Sequence, residues 1–172
     1  MNKYLIEFRF FGKAKYEIKQ LIGDVDYKFY LRRGHKVPHI SLVGPFYTQD
    51  ERRLISDFKE ICSNQEQMQF EVDGFNTFEK TGVVFLDVKP DKKFDEFRWM
   101  LSKTLQNYCN LTSYDIQREF NYHATIAMKL NQEKVKAIKN DIDSKPKLSF
   151  KHILMRVTPI KNHLILCKYD FL

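Results

Sequence analysis

The sequence predicts an α+β fold of two lobes, a duplicated arrangement of β-sheet and helices within residues 1–172. Three observations carry that expectation. Alternating apolar segments and amphipathic segments follow one another in the order β α β α β β α β α β β. Each half of that order holds an apolar strand, a helix, a strand carrying His, another helix and further strands. No Pro-, Gly- or Ser-rich linker separates the halves, so one two-lobed domain is expected.

The elements follow from local pattern. Residues 3–10 (KYLIEFRF) alternate and are rich in aromatic and branched residues, the signature of a strand. Lys13 to Ile22 places Ala14, Ile18, Leu21 and Ile22 on one helical face, with Gly23 as a stop signal. VPHISLV at 37–43 reads as a strand entered through Pro38 and ended by Gly44-Pro45. Thr48-x-x-Glu51 has capping-box spacing and opens a helix that buries Leu54, Ile55, Phe58, Ile61 and Cys62. Strands are expected near 68–75 and 82–88. Phe94, Phe97, Leu101, Leu105 and Tyr108 then mark an amphipathic helix. YHATIAM at 122–128 is a strand, and Asn131 caps a helix that buries Val135, Ile138 and Ile142. Two final strands, near 148–157 and 163–171, are joined by a turn at Pro159-Ile160-Lys161-Asn162.

Composition excludes several classes. With 43% hydrophobic and 15% aromatic residues, the chain can bury enough surface to offset chain entropy. Three widely spaced Cys (Cys62, Cys109 and Cys167) without a C-x-x-C pair argue against a disulfide framework and a cysteine zinc site. No segment reads as a secretory signal or a membrane span, so a cytoplasmic protein with no membrane partner is expected. The formal charge of +7 suits an anionic partner such as RNA.

The duplicated strand is where the chemistry concentrates. One copy reads His39-Ile40-Ser41 and the other His123-Ala124-Thr125. Strand side chains alternate, so each His shares a face with the hydroxyl residue about 6.6 Å further along. Ile40 and Leu42, like Ala124, Ile126 and Met128, point the other way. Five His and 14 Ser plus Thr in 172 residues give about 0.4 chance occurrences of His-x-[Ser/Thr], and the chain has two in matching contexts. A purely structural reading would have two strand histidines bonded to neighbouring hydroxyls. The chemical reading is stronger. Two imidazoles can act near neutral pH as one base and one acid. Two hydroxyls can donate to the non-bridging oxygens of a phosphodiester as charge builds there. That chemistry needs no metal or other cofactor, and the sequence has no H-E-x-x-H, G-x-S-x-G or phosphate-loop motif.

PHISLVGPF at 38–46 closely resembles the first motif of the two-histidine (2H) phosphoesterases, the superfamily of the 2′,5′ RNA ligases and cyclic phosphodiesterases. FNYHATIAM at 120–128 resembles the second, although Tyr122 stands where that family often has Pro. The resemblance extends over nearly the whole chain and implies a central cleft between the lobes. It implies an enzyme with His39 and His123 as the catalytic acid–base pair and with Ser41 and Thr125 binding phosphate. The substrates it implies are nucleotides or RNA ends bearing a 2′,3′-cyclic phosphate or a 2′,5′ linkage, opened by hydrolysis or joined by ligation.

Phe46, Phe10, Arg9 and Tyr122 are candidate substrate contacts. The two Phe could stack on a base or pack in the core. Arg32, Arg33, His35 and Lys36 form a basic segment that could meet an RNA backbone or remain a solvated loop. His152 and His163 fall outside the motifs and are expected to be structural or surface residues. A monomer is expected. Two other functional classes fit less closely: a non-catalytic RNA- or nucleotide-binding module that uses the same cleft, and a transesterifying ribonuclease.

Overall fold

A computed structural model describes residues 2–31 and 37–171. Its elements are β1 (Lys3–Arg9), α1 (Gly12–Lys28), β2 (His39–Tyr47), α2 (Glu51–Ser63), β3 (Met68–Phe78), a 3₁₀ turn (Glu79–Thr81), β4 (Val83–Pro90), α3 (Lys92–Leu105), β5 (His123–Ala127), α4 (Gln132–Asp143), β6 (Ser149–Leu154), β7 (Arg156–Lys161), β8 (Leu164–Ile165) and β9 (Tyr169–Asp170). The strands form two antiparallel sheets. One has the order β2-β1-β7-β8, with β9 also pairing β7; the other has the order β5-β4-β3-β6. The fold is α+β, with four helices packed around two sheets, as expected.

Each sheet arises from the alternation seen in its strands. Tyr4, Ile6 and Phe8 of β1, with Ile40 and Leu42 of β2, are buried. In the other sheet Val84, Leu86 and Val88 of β4, with Ala124 and Ile126 of β5, are buried too. The two interiors join into one cluster. Phe8 meets Phe70 of β3 edge-on at 5.3 Å, and Phe10 meets Phe70 at 5.9 Å. Fully burying each such ring contributes about 1.5–3 kcal/mol.

Several local expectations change. α1 continues through Gly23 to Lys28, because Val25 extends the buried stripe of Ile18 and Ile22. A helical Gly costs about 1 kcal/mol relative to Ala, and burial of Val25 offsets that. The helix ends in a Schellman motif: Leu31 N–H donates to the Asp26 carbonyl at 2.9 Å, with Tyr30 left-handed at φ 51°. The Thr48/Glu51 capping box does not form. Asp50 caps α2 by accepting from Arg53 N–H at 2.9 Å, while Glu51 accepts from the Tyr4 hydroxyl at 2.9 Å and pairs with Lys161 at 2.6 Å. β2 runs on through Gly44-Pro45 to Tyr47, and its register with β1 shifts there. Asn131 does cap α4, accepting from Lys134 N–H at 2.9 Å.

The C-terminal third departs most. The strand expected at 148–157 is two strands that break at Met155, β6 pairing with β3 and β7 with β1. Pro159 and Ile160 lie within β7, and the turn falls at Asn162 and His163. Met128, expected on the strand face that carries Ala124 and Ile126, lies beyond the end of β5 and is exposed. Among the described residues, no helix is long and apolar enough to cross a membrane.

Candidate active site

β2 and β5 are the outer strands of their sheets, and they touch each other. His39 and Ser41 on β2 alternate with buried Ile40 and Leu42; His123 and Thr125 on β5 alternate with buried Ala124 and Ile126. All four candidate side chains are half-buried, on the strand faces turned away from the core.

The two histidines are held alike. His39 Nδ1 lies 2.8 Å from the Val37 carbonyl, and His123 Nδ1 lies 2.9 Å from the Asn121 carbonyl. A carbonyl only accepts, so each Nδ1 carries a proton and donates it to the residue two positions earlier. The neutral ring then has its lone pair on Nε2. Two strands from different halves of the chain thus present the same tautomer.

Their surroundings differ. Phe78 of β3 and Phe85 of β4 each stand 5.2 Å from the His123 ring, centroid to centroid. Burial pushes the His123 imidazole below its ordinary value; the Nδ1 bond to Asn121 opposes that shift, nearby His39 adds to it, and Asp87 opposes it. His39 instead borders an ion pair. In the β1–β2 ladder Arg9 is opposite His39 and Glu7 is opposite Ser41. Glu7 Oε1 accepts from Arg9 Nε at 2.5 Å, and Glu7 Oε2 lies 3.8 Å from His39 Nε2.

β2 is braced from behind. Arg98 of α3 is fully buried and donates to the carbonyls of Leu42 (3.2 Å), Gln117 (2.7 Å) and Asp115. Its guanidinium lies 3.9 Å from the Phe120 ring centre. The Asp115 side chain, also buried, accepts from Gly44 N–H at 2.8 Å. Together these contacts fix the segment that follows Ser41.

Three candidate substrate contacts need correction. Phe46 is 1% exposed and stacked on Tyr4, and Phe10 is 2% exposed among Phe8, Phe70 and Phe150, so neither offers a free face to a base. Tyr122, 3% exposed, packs on Phe94 and Phe120 and donates its hydroxyl to Asp95 at 2.9 Å, anchoring the entry to β5. Arg9 stands beside His39 with its side chain 31% exposed. Arg32, Arg33, His35 and Lys36 lie outside the described residues. His152 sits among aromatic rings and His163 is exposed in a turn. Sequence reasoning missed Glu7, Phe78, Phe85 and Arg98. For Glu7 a signal was available, an acid at the centre of an apolar strand. Among the described residues, no group of three or more His, Cys, Asp or Glu is placed to hold a metal ion.

Two sheets, each with a His-x-[Ser/Thr] strand at its edge, define the 2H phosphoesterase fold. The family model of the 2′-5′ RNA ligase superfamily matches residues 14–158, and the chain belongs to that superfamily. No curated relative matches it in sequence. Among solved structures it is similar to Escherichia coli LigT complexed with ATP, with 15% identity, TM-score 0.63, and 99% of this chain and 97% of that one covered. LigT complexed with 3′-AMP gives 14% identity and TM-score 0.61, covering 99% and 98%. Kluyveromyces marxianus Usb1 gives 12% identity and TM-score 0.50, covering 99% and 97%.

Proposed function

We propose that the protein is a phosphodiesterase that opens 2′,3′-cyclic phosphates of nucleotides or RNA ends by paired-histidine acid–base catalysis. The observation that carries this reading is the twofold His-x-[Ser/Thr] strand with both rings fixed through Nδ1, which leaves two Nε2 atoms for proton transfer. His123, held toward its neutral form by burial, is the base. Its Nε2 takes a proton from water as the water oxygen attacks phosphorus. The bond from phosphorus to one ribose oxygen breaks, and His39 Nε2–H protonates that oxygen. The products are a phosphomonoester and a free ribose hydroxyl. The hydroxyls of Ser41 and Thr125 donate to the non-bridging oxygens, where charge builds.

An RNA 5′-hydroxyl in place of water turns the same displacement into ligation, with a 2′,5′ linkage as its product. For base contact, Phe78 replaces the two buried Phe: it is half-buried beside His123, and stacking on such a ring is worth about 1–3 kcal/mol. The test is hydrolysis of a 2′,3′-cyclic nucleotide by purified protein, with and without EDTA. His39→Ala and His123→Ala should each lower kcat/KM by about 10²–10⁴-fold. Parent-like rates in either variant would overturn the assignment, and loss of parent activity in EDTA would overturn a mechanism carried by the histidines alone.

A further inference from the structure

The carbonyl that tethers His123 is itself held by a side chain. Asn121 lies just outside β5, which begins at His123, so the ladder with β4 does not fix its peptide. Tyr114, in the segment between α3 and β5, does so instead. Its hydroxyl donates to the Asn121 carbonyl at 3.1 Å and accepts from the Asn121 N–H at 3.2 Å. The same carbonyl oxygen takes the His123 Nδ1 proton at 2.9 Å, so both of its lone pairs are engaged. Histidine free in water favours the proton on Nε2, so the Nδ1–H form of His123 depends on an acceptor that keeps its place. Tyr114 is fixed from two directions. Its ring lies 4.7 Å from that of Phe120, against which the buried Arg98 guanidinium stands at 3.9 Å. The next residue, Asp115, is buried, its carbonyl held by Arg98 and Ser102 and its carboxylate by Thr112 and the Gly44 N–H.

We propose that Tyr114 is a positioning residue for His123: its hydroxyl clamps the Asn121 peptide, so that the carbonyl keeps the ring proton on Nδ1 and the lone pair stays on Nε2, where a base needs it. This rests on the reading of His123 as the base. Arg98 then serves both active-site strands. It donates to the Leu42 carbonyl beside Ser41 on β2, and it backs the ring pair that carries the His123 clamp.

The experiment pairs nitrogen NMR of the imidazole rings at about pH 8, where His123 is neutral, with steady-state kinetics on a 2′,3′-cyclic nucleotide. The signals missing in His39→Ala and His123→Ala assign the rings. Tyr114→Phe removes the hydroxyl and keeps the ring on Phe120. In the parent His123 should show a protonated Nδ1 and a bare Nε2. In Tyr114→Phe its two nitrogen shifts should approach each other as the second tautomer enters, while those of His39 stay in place. kcat should fall about 3–10-fold, the share of one hydrogen bond, with KM unchanged within about twofold. Tyr114→Leu removes ring and hydroxyl together and should change the tautomer at least as much. Unmoved His123 shifts in folded Tyr114→Phe overturn the proposal, whether or not kcat falls. So do shifts that move while kcat stays, and a change confined to Tyr114→Leu, which would assign the effect to ring packing. An inactive parent whose His123 tautomer still follows Tyr114 overturns the functional reading and leaves the clamp standing.

Discussion

His39 and His123 share a backbone tether and differ in their neighbours, and for His123 those neighbours decide how it should titrate. His123 is held low chiefly by burial beside Phe78 and Phe85. In the proposed role of base it must be neutral, so activity should persist as pH falls through the ordinary imidazole value of about 6.5 and be lost only below it. A kcat/KM profile from pH 4.5 to 9 checks this, and an acid limb above 6.5 contradicts it. At this scale the sequence was informative where strand alternation alone decides. His39 with Ser41, and His123 with Thr125, needed only a period of two. Phe10, Phe46 and Tyr122 needed to be known against their neighbours, and all three are spent on packing. Glu7 becomes meaningful only through the β1–β2 register, which no local pattern supplies.

The helices show what local pattern specifies and what tertiary contact overrides. Asn131 caps α4 as its side chain suggests, because the cap needs only a backbone N–H three residues on. Glu51 has the spacing to complete a cap for α2, yet Tyr4 and Lys161, distant in sequence, take its carboxylate. Gly23 does not stop α1, which ends instead at Tyr30, a residue 92% exposed in the left-handed region that costs a side-chain-bearing residue about 1–2 kcal/mol. Tyr30→Gly should therefore stabilise the fold by about 0.5–1 kcal/mol, read as a higher urea midpoint at unchanged slope. A lower midpoint would mean that the exposed ring contributes more than its backbone costs.

The whole molecule is joined along an aromatic seam, and His152 lies in it. Its ring stands 4.5 Å from that of Phe11, 5.5 Å from Phe70, and 5.7 Å from both Phe8 and Phe10. Its Nε2 is buried without a hydrogen-bond partner among the described residues. Burial pushes His152 below its ordinary value. The unfolded chain therefore takes up a proton first as pH falls, so stability present above about pH 6.5 is lost on going lower. His152→Phe keeps a ring in the seam and removes the proton site. Urea unfolding at pH 7.5 and 5.5 should show a smaller loss in the variant than in the parent, and an equal loss would place the sensitivity elsewhere. The two-lobed α+β architecture was evident from the order of elements, since a repeated strand–helix pattern constrains it strongly. Which sheet each late strand joins was not, because nothing in 148–161 marks Met155 as the crossing point.

That crossing governs the order in which the protein can be made. β7, the strand flanking β1 on the side away from β2, comes from residues 156–161, so the sheet that carries His39 stays a single pair of strands, β1 and β2, until this late segment has left the ribosome. The sheet that carries His123 already has all four of its strands by Leu154. During synthesis the sheet begun first is thus finished second, after the last strand of its partner has emerged.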